Sequence, residues 1–406
     1  LSLAGGHLSL EDIYCMKALS THVEGKISLY TNTGGGEWVT RVGMTPGSDL
    51  GKLEKGSAIL VIASDLHEEA PIWWLRVKAA TERGATLVVA NARKTRLEKF
   101  ATHVLTYAYG EEDKALRELF EGSSEITKSL TDAENLVVFY GADGLGVEGS
   151  AALAAGIAER LVKTQHLGRP NNGLIAAWQR ANTQGAYELG LLPDLKITES
   201  MGAAMGLYIA GADPAADSPI LRDAMQRAGF VIVQDFFLTE TAKLADVVFP
   251  AQASMEREGT LVSGERRVQK FGAAIPVTKD TRADHAITAA LLEKLGGEKL
   301  PATAPELFGK LASQEPVLQS LSYEKLGEVH TQWPLVGRNE IYYGGTGYEN
   351  TFGLGVILPL ATGESNLPQK TRMPDTVKPG RNQWLALPVT KLYDRQASTS
   401  LSLLKN

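Results

Sequence analysis

Few residues in this chain have the types and spacing that do chemistry. Gly144-Leu145-Gly146-Val147-Glu148-Gly149 fits G-x-G-x-x-G, a pattern whose backbone amides cradle a pyrophosphate where a strand turns into a helix. An apolar run precedes it and a helical stretch follows. No strand ending in an acid comes about 20 residues later to hold a ribose. The residues therefore favour a tight strand-to-helix loop, with an NAD-dependent dehydrogenase as the rival enzyme. His67-Glu68-Glu69 follows another apolar run, where open α/β sheets put their ligands. Acids just before a helix also suit its dipole, and that reading is preferred. His7, His22, His67, His103, His166, His285 and His330 show no metal-ligand spacing, so no metal site is expected. A single cysteine, Cys15, excludes an internal disulfide and an iron–sulfur cluster, which needs about four ligands. Its place in an apolar helical stretch makes it a structural thiol. No serine stands in a G-x-S-x-G elbow, which disfavours an α/β-hydrolase.

The elements that would position these groups follow from apolar periodicity. Ala58–Ala63, Thr86–Ala90 and Leu136–Tyr140 are short unbroken apolar runs, as expected of parallel strands covered on both faces. Gly206–Ala210, Phe230–Gln234 and Asp246–Phe249 repeat the pattern further on, with helical stretches between. This is doubly wound α/β organisation in two copies. The turn Gly168-Arg169-Pro170-Asn171-Asn172-Gly173 is the expected crossing between them. The division expected is residues 1–30 with 171–300 as one discontinuous domain, 31–170 as the second, and 301–406 as an irregular extension. Of the adjacent Trp73 and Trp74, one is expected in the core and the other at a domain or subunit contact.

At 406 residues the chain has room for two or three domains. Hydrophobic residues make up 44% and charged residues 22%, the balance of a globular protein. A net charge of −6 disfavours nucleic acid as a partner. No apolar run reaches the ~20 residues that span a bilayer, so no direct membrane insertion is expected. Residue 1 is Leu, and the chain reads as a piece of a longer protein. After about residue 330 the hydrophobic residues Trp333, Ile341, Tyr342, Tyr343, Phe352, Leu354, Val356 and Ile357 lie in proline- and glycine-rich sequence, and this stretch is expected to face a partner.

Longer stretches carry a resemblance. Leu60–Thr95, Gly206–Pro219 and Phe236–Phe271 resemble, in this order, hallmark regions of the molybdopterin oxidoreductases. Within that family, Ala181–Pro193, Glu265–Gln269 and, more weakly, Tyr343–Gly355 and Leu392–Arg395 are most similar to the G-type subunits of NADH-quinone oxidoreductase (respiratory complex I). The resemblance implies two doubly wound, mostly parallel α/β domains of the formate dehydrogenase/DMSO reductase type and an irregular tail. It implies pterin-nucleotide loops at Ser64, Asp65, Asn91, Arg93, Thr95, Gly211, Asp213 and Asp235, retained as relics. Asn91-Ala92-Arg93 stands where active relatives often read D-P-R, so an amide replaces an acid. Molybdenum-binding members present a Cys, selenocysteine or Ser to the metal just ahead of the first nucleotide unit. The corresponding stretch, Tyr30–Thr45, has neither Cys nor Ser.

As a member of the G-type group, the chain would be a scaffold without catalytic residues or a cofactor of its own. The iron–sulfur clusters that pass electrons from NADH towards quinone would lie in a preceding region. Its partners would be other peripheral-arm subunits, at the cytoplasmic side of a bacterial inner membrane. The alternative is an oxidoreductase of the formate dehydrogenase type that holds molybdopterin guanine dinucleotide.

Overall fold

A computed structural model describes residues 1–328, 355–360, 384 and 386–387. Two five-stranded parallel sheets organise it. In the first, the order is Val247–Pro250, Val231–Asp235, Leu207–Ala210, Ser2–Gly5 and Ile27–Tyr30. In the second it is His103–Thr106, Thr86–Asn91, Ser57–Ile62, Asn135–Tyr140 and Gly173–Ala176. The central strands are the unbroken apolar runs of the sequence. Every residue of Ser57–Ile62 is buried, because helices cover both faces. The doubly wound α/β expectation is met.

The second sheet runs on past the turn at 168–173, where the crossing was expected. Asn172 explains why. Its buried amide donates to Asn135 Oδ1 at 3.0 Å and accepts the Leu136 N–H at 2.9 Å. The turn is thereby tied to the start of strand Asn135–Tyr140, and Gly173–Ala176 pairs beside that strand.

Helix Leu10–His22 starts on a capping box: the Ser9 hydroxyl accepts the Asp12 N–H, and Asp12 accepts the Ser9 N–H. Cys15 in this helix is fully buried, and burial pushes its thiol far above the usual range, as suits a structural residue. Pro71 begins helix Pro71–Glu82, where its missing N–H costs nothing. Trp73 packs on Phe139 with ring centroids 5.6 Å apart, and Trp74 on Phe100 at 5.8 Å. Both tryptophans are partly buried against the second core, and Trp73 also reaches Gly264 of the hairpin beyond it.

A small antiparallel sheet joins Gly259–Val262, Arg267–Phe271 and Val356–Ile357. Arg266 beside it is fully buried. Its Nε and Nη2 reach both carboxylate oxygens of Glu188 at 2.7 and 2.9 Å, and Nη2 also donates to Pro359 O at 2.9 Å. This fork fixes residues 355–360 to the body of the protein. Val356 and Ile357 therefore pack within the chain itself. The other tail residues expected to face a partner (Trp333, Ile341, Tyr342, Tyr343, Phe352 and Leu354) lie outside the described residues.

Removing one member of a buried ion pair strands the other charge. Glu188→Gln is expected to lower unfolding stability by about 3–5 kcal/mol in urea titration. A loss below about 1 kcal/mol would mean that the Arg266 fork does not hold this region.

Candidate functional site

The polar side chains gather at the C-terminal ends of the strands. In the second sheet, Ala63 follows its strand with φ at 49°, which bends the chain sharply and sets Ser64 and Asp65 over the sheet edge. Asp143 N–H donates to Ala63 O at 3.0 Å and brings the end of the neighbouring strand alongside. Arg93 lies between the two acids: Nε donates to Asp143 Oδ2 at 2.6 Å and Nη1 to Asp65 Oδ2 at 3.1 Å. Asn91 Nδ2 reaches Ser64 O at 3.3 Å and Asp143 Oδ2 at 3.4 Å. Ser64 Oγ donates to Glu69. The structure thus brings Ser64, Asp65, Asn91 and Arg93 together. Thr95 does local work instead, its N–H donating to Glu98 at 2.8 Å at the start of the turn Arg96–Phe100.

The acids carry more acceptor capacity than Arg93 can fill. Oδ1 of Asp65 and Oδ1 of Asp143 are both buried without a hydrogen-bond partner. Burial, only partly offset by Arg93 and Asn91, holds the Asp143 carboxyl above its ordinary value. Burial opposes the charge on Arg93 as well, but Asp143 and Asp65 outweigh it and raise the guanidinium's pKa. Sequence reasoning missed Asp143. Its signal was present: it directly precedes the glycine loop, in which Gly144 and Gly146 take φ of 78° and 64° before helix Gly146–Lys163.

A second cluster caps the first sheet. Gly211 has φ of 61°, and a Cβ on Gly5 would sit 1.7 Å from Gly211 O, so the two strand ends approach as only glycines permit. Asp213 Oδ1 accepts both the N–H and the hydroxyl of Thr241, at 2.8 and 2.7 Å, and thereby pins the loop beyond the next strand. Asp235 accepts the Phe237 N–H at 3.1 Å, yet burial pushes its carboxyl up to about 7. His7, also missed, has a buried Nδ1 with no partner. Burial, with Arg180 and Arg257 nearby, brings its imidazole down to about 3, so it is neutral at physiological pH.

The end of the second sheet fits a ligand rich in N–H and O–H donors, such as a nucleotide's base and ribose, because the buried Oδ1 atoms of Asp65 and Asp143 lack donors. A protein ligand to a metal does not fit: Tyr30–Thr45 offers no thiol and no serine. No cluster of three or more His, Cys, Asp or Glu suited to a metal occurs among the described residues. No helix among them is long and apolar enough to cross a membrane.

The sequence model for molybdopterin oxidoreductases matches residues 1–294. This chain belongs to the molybdopterin oxidoreductase family. It is 36% identical over 209 residues to the F420-dependent formate dehydrogenase 2 subunit alpha of Methanococcus maripaludis, covering 42% of this chain and 31% of that protein. It is 25% identical over 368 residues to the F420-dependent formate dehydrogenase 1 subunit alpha of that organism, covering 71% and 55%. The chain therefore spans from about a third to about half of these relatives. Acetylene hydratase from Pelobacter acetylenicus has the same fold, with a TM-score of 0.59 at 12% identity over 80% of this chain and 59% of that one.

The pKa of Asp235 makes a signed prediction. A folded-state value near 7, against about 3.9 when unfolded, means that the native state holds this proton more tightly. Its contribution is fully present below about pH 4 and is lost as pH rises towards 7, by about 1.4 kcal/mol for each pH step of one between those values. In Asp235→Asn the fall in stability between pH 4 and 7 is expected to be shallower than in the wild type. Parallel stability–pH curves for the two proteins would contradict this.

Proposed function

We propose that this chain is the nucleotide-binding region of a molybdopterin-dependent oxidoreductase of the formate dehydrogenase type. On this reading the two strand-end clusters hold the nucleotide ends of pterin cofactors. The observation that carries it is the set of buried, donor-less oxygens on Asp65 and Asp143. The formate dehydrogenase alpha subunits among the relatives and the match over residues 1–294 support it.

The geometry supports a role for each residue on this reading. Asp65 and Asp143 accept donors on a base or ribose, while Arg93 spans the two acids and fixes their positions. Ser64 and Asn91 brace the same loop. In the first sheet, Gly211 lets the His7 ring approach the backbone, Asp213 fixes the loop, and Asp235 can exchange a proton near neutral pH. When bound, the pterin group carries the metal that performs two-electron chemistry. The relatives' family thus weighs against the expectation of a chain without a cofactor.

A second reading is favoured by the stretch Tyr30–Thr45, which lacks a Cys or Ser. On it the chain is the scaffold part of a G-type subunit of NADH-quinone oxidoreductase, packed among peripheral-arm subunits beside iron–sulfur clusters held outside this chain, at the inner face of a bacterial membrane.

Calorimetric titration with guanosine 5′-monophosphate separates the two. The first reading expects saturable binding that weakens at least about tenfold in Asp143→Ala, since a lost hydrogen bond to a charged group costs about 1.5–3 kcal/mol. No binding by a folded chain, together with co-purification of iron–sulfur subunits, would favour the scaffold instead.

A further inference from the structure

The stretch in which molybdenum-binding relatives present their metal ligand here contains Gly34-Gly35-Gly36. The space at all three positions is already taken. A Cβ on Gly34 would lie 2.3 Å from Val147 O, and one on Gly35 would lie 2.5 Å from Ala154 Cβ. On Gly36 it would meet the Tyr187 ring at 2.1 Å, where contacts under 3.0 Å are essentially never found. Gly35 also has φ of 95°, a region that L side chains avoid.

Hydrogen bonds hold this backbone from two sides. Gly34 N–H donates to Ser150 Oγ at 2.8 Å, and Gly34 O accepts the Tyr140 hydroxyl at 3.0 Å. Ser150 and Tyr140 belong to the half built on the second sheet. On the other side, Gly36 O accepts Gln184 Nε2 and Thr33 O accepts the Tyr187 hydroxyl, each at 3.4 Å. Those two residues lie on helix Thr183–Glu188, which is held to the first half by Asn182 Nδ2 donating to Leu8 O at 2.6 Å. The Tyr187 ring stacks on Trp178, with centroids 5.5 Å apart and an interplanar angle of 21°, so it has a packed wall behind it.

We infer that Gly34–Gly36 is a close-packed joint between the two α/β halves, and that it closes the position from which a metal ligand would project. The metal implied by the family and the residues of this chain disagree at this place. A cysteine restored there would meet Tyr187 or helix Gly146–Lys163 rather than an open cleft. This inference stands apart from nucleotide binding, which rests on the strand-end acids.

The test is a thermal-unfolding cycle on the full chain with Gly36→Cys, Tyr187→Ala and the double variant. Gly206→Ala serves as control, since nothing lies within 4 Å of a Cβ there. Gly36→Cys is expected to lower the melting temperature by about 5 °C or more, and the control to leave it unchanged. In the Tyr187→Ala background the same substitution should cost less than half as much, because the clashing ring is gone. In the single variant the new thiol should be unreactive to Ellman's reagent, as is also expected of the buried Cys15. If Gly36→Cys cannot be folded, Gly36→Ala is measured in the same two backgrounds with the same expectation. An equal loss in both backgrounds, failure to fold in both included, overturns the inference. So does a Gly36→Cys protein with wild-type melting and a reactive thiol. Loss of guanosine monophosphate binding in the wild type would touch the nucleotide reading and leave this result unchanged.

Discussion

A parallel sheet covered on both faces has one outlet for polar chemistry, the loops beyond the C-terminal ends of its strands. The central strands of both sheets are buried along most of their length, and their backbone groups are consumed by the ladders. Polar side chains needed for binding are therefore forced into Ser64–Asp65, Asn91–Arg93 and Asp143 over one sheet, and into Gly211–Asp213 and Asp235 over the other. There they are close enough to act together and buried enough to be electrostatically expensive.

That cost is handled in two ways. Arg257 bonds Asp12, and Arg266 grips Glu188 with two nitrogens. Both pairs fix the packing of distant segments; Arg266 bonds through all three of its nitrogens, whereas Arg257 keeps a buried Nε without a partner. Asp65 and Asp143 share one arginine and keep one buried oxygen each without a donor. An unpaired buried acceptor is costly in a region meant only to be stable. Two such acceptors at adjacent strand ends, on either side of one arginine, support reading that place as a binding cleft.

Much of the architecture was legible because it depends on local pattern. Runs such as Ala58–Ala63 and Leu136–Tyr140 read directly as doubly covered strands, and the positions taken from the resemblance at 64, 65, 91 and 93 do converge. What was hidden depends on contacts between distant residues. Asn172 draws Gly173–Ala176 into the second sheet through a hydrogen bond that no composition rule encodes. Arg266 reads in sequence as one charge in a charged hairpin, since its partner Glu188 is 78 residues away. Asp143 stands just outside the glycine pattern that follows it, and only the fold brings Arg93 and Asn91 to its carboxylate. The resemblance identified the family; its finer assignment to complex I gains no support from the formate dehydrogenase subunits among the relatives.

The central claim is that the strand-end acids hold a nucleotide. Acid extraction of the protein purified from its own cells, followed by chromatography of the released nucleotides, tests it most directly. The account predicts guanine nucleotide at about one or two per chain, in line with two sheets that each end in a cleft. Folded protein that releases none would contradict it.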